Sequence, residues 1–138
     1  MKVLVVYEST RGRTKAMATA ICEGVQGKGK ECEVIDAKDF SSIGDACGLA
    51  VGSSTRMKRP LPKVRQVISE LNPLDGLPVV AYGSYGWSGE APGEIAGLLK
   101  DKGGTLVGEP LRVKDHPSEE MLEKCRELGA SLADSCSK

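Results

Sequence analysis

The residues best placed to do chemistry lie in three short segments. The first is Glu8-Ser9-Thr10-Arg11-Gly12-Arg13-Thr14, between a Val/Leu run and a helical pattern. Its three hydroxyls, one glycine and the free N–H groups of a helix start suit a single phosphate. Ordinary helix capping is the plainer reading, but three hydroxyls around one glycine exceed what a cap uses. A triphosphate loop is excluded, because Gly-x-x-x-x-Gly-Lys-Ser/Thr does not occur in this segment. The second segment is Ser53-Ser54-Thr55-Arg56-Met57-Lys58-Arg59-Pro60, and the third is Gly83-Ser84-Tyr85-Gly86-Trp87-Ser88-Gly89-Glu90. Gly83, Gly86, Gly89 and the chain's only Trp crowd that third segment. Glycines let backbone approach a flat ligand, and an indole offers a stacking surface. A Trp that only covers a sheet end leaves the glycine density unaccounted for.

No nucleophile, general acid or metal-ligating set stands out elsewhere. The one His, His116, precedes Pro117 at a helix start and reads as a capping or surface residue. The five Cys are scattered, with no Cys-x-x-Cys spacing. Zinc and iron–sulfur ligation both need clustered thiolates, so neither is expected. Cys22, Cys32, Cys47 and Cys125 then read as reduced, small apolar residues, with Cys136 the most exposed and reactive.

The elements that must position the three segments follow from periodicity. Lys2–Tyr7 is a near-continuous apolar run, as in a strand covered on both faces. Met17, Ile21 and Val25 give one helical stripe from Arg13 to about Gly27. Glu31–Asp36 and Cys47–Gly52 read as strands, with a short or irregular helix over 37–46 between them. A Pro-bounded loop over Ser53–Pro62 precedes a helix marked by Val64, Val67, Ile68 and Leu71. Leu77–Tyr82 is a fourth strand, followed by a glycine-rich loop. A helix marked by Ala91, Ile95, Leu98 and Leu99 stops at Gly103-Gly104. Thr105–Val113 is a fifth strand broken around Gly108–Pro110, and Met121, Cys125, Leu128 and Leu132 mark a closing helix. Alternating strands and helices imply a parallel sheet wrapped on both sides, an open doubly wound α/β domain. Ligands in such domains sit beyond the carboxyl ends of the strands, where the three segments fall.

Composition limits the function classes. The 138 residues are 40% hydrophobic, and 19 Lys and Arg balance 19 Asp and Glu. A chain this long buries roughly two-thirds of its unfolded surface, so one domain spanning residues 1–138 needs no metal or disulfide to fold. Neutral charge argues against a nucleic-acid partner, and no apolar run approaches the ~20 residues of a membrane span. The first residues carry no small-residue cleavage site, so a cytoplasmic protein is expected.

Across essentially its full length the chain resembles flavodoxins, most of all the flavodoxin-like domain of A-type (flavodiiron) flavoproteins. Residues 5–18, Val-Val-Tyr-Glu-Ser-Thr-Arg-Gly-Arg-Thr-Lys-Ala-Met-Ala, are similar to that family's phosphate loop and first helix. Gly-Ser-Ser-Thr at 52–55 with Leu61-Pro62, and the segment 83–90, are similar to its second and third flavin loops. The resemblance implies a five-stranded parallel sheet in the order 2-1-3-4-5, and FMN as non-covalent cofactor. Ser9, Thr10, Gly12 and Thr14 would hold the phosphate, with Arg11 and Arg13 adding N–H groups and charge. Ser54, Thr55, Arg56 and Met57 would flank the ring and ribityl chain with Gly83, Ser84, Tyr85, Gly86, Trp87, Ser88 and Gly89. Met57 and Tyr85 read equally well as loop filling.

The implied activity is electron transfer between redox protein partners, with the ring doing the chemistry. A diiron or iron–sulfur partner would have to be a separate chain. Two alternatives stand beside it: an FMN-dependent NAD(P)H:quinone-type oxidoreductase, and a flavin-free interaction module of the same fold. The chain departs from the acidic flavodoxin pattern in one stretch. Arg56, Lys58, Arg59, Lys63 and Arg65 occur with no acid between Ser53 and Ile68. Beside the ring, that segment would favour its anionic reduced form and steer acidic partners; otherwise it is a solvated face.

Overall fold

The computed structural model describes residues 2–56 and 59–136. Strand β1 (Lys2–Glu8) leads into helix α1 (Arg13–Gln26), and β2 (Glu31–Asp36) into a three-residue 3-10 turn, Ala37–Asp39. Next come β3 (Gly48–Ser53), the two-residue strands β4 (Thr55–Arg56) and β5 (Arg59–Pro60), and α2 (Pro62–Ser69). The chain continues through β6 (Pro78–Tyr85), α3 (Ala91–Asp101), β7 (Thr105–Leu106), β8 (Leu111–Lys114) and α4 (Glu119–Ser135).

The main sheet runs β2-β1-β3-β6, with β7 and β8 both pairing against β6, and every one of these pairings is parallel. The predicted order is therefore present. The fifth position is filled by two short pieces, separated where Gly108–Pro110 interrupts pairing. Beyond β3, where the sequence suggests only a loop, β4 and β5 pair antiparallel as a small hairpin with Arg56 opposite Arg59.

Strand alternation divides the core. Val3, Val5 and Tyr7 of β1 face α1 and α4, joining Met17, Ile21, Val25, Cys125 and Leu132. Leu4 and Val6 face the other way, with Val64, Ile68, Ile95 and Leu99 of α2 and α3. Each strand residue thus serves one of two cores, which is why β1 and β3 read as continuous apolar runs. Tyr82 crosses under the sheet and donates from its hydroxyl to the Val6 carbonyl at 2.9 Å. The 37–46 connection is mostly irregular, with Phe40 and Ile43 as half-buried anchors on the α2 side. Among the described residues no helix is long and apolar enough to cross a membrane.

Helices α1 and α4 approach so closely that backbone fills the side-chain layer. A Cβ at Gly129 would meet the Ile21 carbonyl oxygen, and one at Gly24 the Arg126 carbonyl oxygen. Only glycine at both positions allows this crossing.

The cysteine reading needs correction. Cys22–Cys32 ties α1 to β2 with Cα atoms 5.5 Å apart, and Cys47–Cys136 ties the start of β3 to the end of α4 with Cα atoms 5.1 Å apart. Cys136 is buried rather than exposed. Cys125 alone remains a free thiol, and it too is buried. The pairs are far apart in sequence or hidden in irregular spacing, so only the packing of α1 and α4 on the sheet brings them together.

Candidate functional site

The site forms where β1, β3 and β6 end together. After β1, Ser9 Oγ accepts the Gly12 N–H at 2.8 Å, closing a tight turn. Gly12 sits at φ +80°, a left-handed conformation that favours glycine. The Gly12 carbonyl then accepts the first α1 bond, from Ala16 N–H at 3.0 Å. No side chain caps this helix. Its first-turn N–H groups, including those of Arg13 and Thr14, are therefore available to a ligand.

One hydroxyl cluster joins all three segments. Thr14 Oγ1 lies 2.7 Å from Ser84 Oγ and 3.1 Å from Ser54 Oγ. Thr14 and Ser84 are buried, so their hydroxyls must pair with each other. The loops are braced from outside. Glu8 Oε1 accepts Val64 N–H at 2.8 Å, fixing the start of α2, while Ser53 Oγ accepts Leu61 N–H at 2.8 Å. Thr55 Oγ1 accepts Ala91 N–H at 3.2 Å at the start of α3. Arg112 Nε donates to the Gly89 carbonyl at 2.8 Å, and Asp115 N–H donates to the Tyr85 carbonyl at 2.7 Å.

These loops enclose a cavity of about 310 Å³, lined by Thr10, Arg11, Arg13, Ser54, Thr55, Ser84, Tyr85, Gly86 and Trp87. That volume falls at the lower end of the range for small-molecule sites. Larger hollows, about 430 and 460 Å³, flank residues 40–44 but lack this convergence of hydroxyls and free N–H groups. Trp87 is 94% exposed at the cavity's rim. Arg13 Nε is buried with no hydrogen-bond partner.

Nine of the residues singled out from sequence therefore line one cavity. Ser9, Gly12 and Thr14 shape the turn beneath it. Gly83 lies within β6 and is buried there, while Ser88 and Gly89 belong to the loop but not to the wall. Arg56 is exposed on the hairpin. Met57 lies outside the described residues. His116 is exposed, and Ser118 rather than His116 caps α4, accepting Met121 N–H at 3.2 Å. Sequence reasoning missed Glu8, Arg112 and Asp115 as braces. Asp115 had one available signal: it directly follows the last strand, whose end also faces the ligand edge.

An uncapped helix start, a hydroxyl cluster and an orphaned guanidinium N–H suit a phosphate-bearing guest. The flavodoxin family model matches residues 5–129. The chain belongs to the flavodoxin family. As a flavodoxin it binds FMN and transfers electrons, and the cavity's donors fit that cofactor. A flavodoxin from the domain Archaea superposes with a TM-score of 0.94 at 37% identity, each chain covered in full. A putative diflavin flavoprotein of Nostoc sp. is 31% identical over all of this chain but 25% of its own length. A flavodiiron core from Synechocystis sp. superposes with a TM-score of 0.88 at 25% identity over 99% of this chain and 36% of that one. The chain spans 25% to 36% of the length of the first curated relatives it matches. Relatives of this kind place the flavodoxin in a redox setting.

Proposed function

We propose that residues 1–138 form one flavodoxin-like unit that carries electrons between redox proteins, without a substrate pocket of its own. Ser9, Thr10, Gly12 and Thr14 would hold the phosphate of FMN, with Arg11 and Arg13 adding N–H groups and charge. Ser54, Thr55, Arg56 and Met57 of the second segment and Gly83 to Gly89 of the third, with Trp87 and Tyr85, would hold the ring. When bound, FMN supplies the electron-accepting ring; the chain supplies the cradle, its orientation and the surrounding charge. The observation that carries this reading is the Thr14–Ser54–Ser84 cluster at the uncapped start of α1. It gathers three loops at the start of one helix.

The partner we propose is an acidic iron–sulfur or diiron protein on a separate chain. Arg56 and Arg59 face each other across the exposed hairpin, and Arg11 is exposed at the cavity mouth. Among the described residues, the Arg59 guanidinium pairs with Glu94 at 3.3 Å, and no partner is seen for Arg11 or Arg56. The flavodiiron likeness supports the diiron option. A cytoplasmic location is proposed with it.

Titrating flavin-free protein with FMN should quench flavin fluorescence to a one-to-one endpoint. Absence of quenching would overturn the cofactor reading. The reduced, FMN-loaded protein should pass electrons to an acidic iron–sulfur protein at a rate that falls as salt rises, since attraction fades beyond a screening length of ~10 Å at 0.1 M. A rate indifferent to salt would remove the acidic partner. Oxidation of NAD(P)H by the loaded protein alone would move the assignment to a nicotinamide-dependent oxidoreductase.

A further inference from the structure

Both disulfides sit at one end of the sheet. Val3 of β1 pairs with Cys32 of β2 on one side and with Gly48 of β3 on the other. Cys47 N–H donates to the Lys2 carbonyl at 2.8 Å, so Cys32 and Cys47 flank β1 at its amino end. From there the bridges run to one helical layer, Cys32 to Cys22 of α1 and Cys47 to Cys136 at the end of α4. The two helices lock together where Gly24 meets Arg126 and Gly129 meets Ile21. Apolar packing holds this layer to the strands, through Met17, Ile21, Cys125 and Leu132. The bridges add one covalent pin on each side of β1.

The same placement separates these sulfurs from the cavity. The cavity opens beyond the carboxyl ends of the strands, and from Val3 to Glu8 β1 rises about 17 Å, at roughly 3.3 Å per residue. A flavin in the cavity therefore touches neither bridge. Solvent is nearer: each bridge joins a buried residue, Cys22 or Cys136 at 5% exposed, to a half-buried one, Cys32 or Cys47. Cys125 stays outside this chemistry. It is fully buried, and burial pushes its thiol up to about 12, where little thiolate forms at neutral pH.

We propose that the four paired cysteines form a second redox site, opened and closed by exchange with a dithiol reductant, that sets how firmly the α1–α4 layer is locked to the sheet. In the cytoplasm, the location proposed above, protein bridges are usually transient or redox-sensing rather than permanent. A thiolate of the dithiol attacks the sulfur of Cys32 or Cys47, and the Cys22 or Cys136 sulfur leaves as a thiolate and takes up a proton. The second thiol of the reductant then closes on the mixed disulfide and releases Cys32 or Cys47 as a thiol. Each bridge gains two electrons and two protons, and the reductant becomes its own disulfide. Opening Cys47–Cys136 has the larger effect. Its partners are 89 residues apart against 10 for Cys22–Cys32, and a longer closed loop restricts the unfolded chain more.

The test applies dithiothreitol to the folded full chain, quenches in acid, and counts thiols by alkylation in denaturant and mass spectrometry. Untreated protein should show one thiol, Cys125, and treated protein five. Oxidised dithiothreitol should then restore the starting count. Treatment should lower the Tm by about 10 °C or more. Cys47→Ser combined with Cys136→Ser should lower it further than Cys22→Ser combined with Cys32→Ser. Five thiols before any treatment, bridges that open only as fast as the chain unfolds, or a Tm unchanged by dithiothreitol would each overturn the proposal. Should a double variant fail to fold, the thiol count and Tm of the unsubstituted chain decide it. Photoreducing the FMN-loaded chain without a thiol should leave the count at one. A rise would make the flavin the reductant and overturn the separation of the two sites. Should the chain take no FMN, the flavin reading falls, while the dithiol results still decide this site.

Discussion

Thr14 holds three strand ends through a single oxygen. Its Oγ1 meets Ser84 at 2.7 Å and Ser54 at 3.1 Å, and Ser84 is 2% exposed. Replacing Thr14 by Val keeps the shape and removes the oxygen, leaving the Ser84 hydroxyl buried and unpaired. Such a group costs about 1–3 kcal/mol. The unfolding free energy of flavin-free Thr14→Val, from a urea titration, should fall by that amount, and Thr14→Ser should recover most of it. Ser9, Thr10 and Thr14 were legible as a group because hydroxyls cluster before a helix. Their division of labour was not legible: Ser9 closes the turn, while Thr14 reaches residues 40 and 70 positions away. Trp87 stands out in sequence as a stacking surface, but its position at the rim depends on how the third loop is braced by Arg112 and Asp115. Neither of these belongs to the loop itself.

At the scale of elements, the crossing of α1 and α4 makes the sharpest demand. Gly129→Ala would drive a methyl group into the Ile21 carbonyl oxygen, and overpacking of this kind costs about 1–3 kcal/mol. Gly97 in α3 is the matched contrast, because a Cβ there meets nothing within 4 Å. Gly97→Ala should stabilise by about 0.5–1 kcal/mol, through helix propensity alone. Denaturant midpoints moving in opposite directions for the two variants would bear out the close packing; a neutral Gly129→Ala would refute it. Both glycines look alike in sequence, since each lies inside an amphipathic helical pattern. The broken fifth strand was legible from Gly108–Pro110, whereas the β4–β5 hairpin was not, because two-residue strands carry no period. The disulfides escaped for a related reason. Cys47 and Cys136 are 89 residues apart, and their pairing depends on where α4 ends against β3. Cross-linking over so long a loop restricts the unfolded chain by about 4–5 kcal/mol in the chain-entropy account.

For the whole molecule, burial of acidic groups sets the alkaline limit. Burial pushes the Cys125 thiol from its ordinary 9.0 up to about 12. It also raises the phenols of Tyr82 and Tyr7, with Asp36 and Asp39 adding to the effect at Tyr7. An acid kept neutral by burial retains its proton after the unfolded chain has lost it. Stability is thus complete below the unfolded pKa and drains as pH rises toward the folded one. The unfolding free energy should decline from about pH 9, at up to about 1.4 kcal/mol per pH unit for each such group. Cys125→Ala should flatten the part that begins at pH 9; a decline identical in the variant would count against this origin. Net charge, by contrast, misled about local character. A chain of zero formal charge carries Arg11 and Arg13 in the cavity wall and exposed Arg56 and Arg59 on β4 and β5, because charge balance is a sum and steering depends on position. Sequence by itself determined the alternation of strands and helices, the parallel sheet and the three segments at its carboxyl edge, since periodicity and turn chemistry are local. Tertiary structure alone decided which cysteines meet, which glycines are indispensable, and that Arg13 lines the cavity while its Nε is buried without a partner. Those outcomes depend on distances between elements that no spacing along the chain encodes.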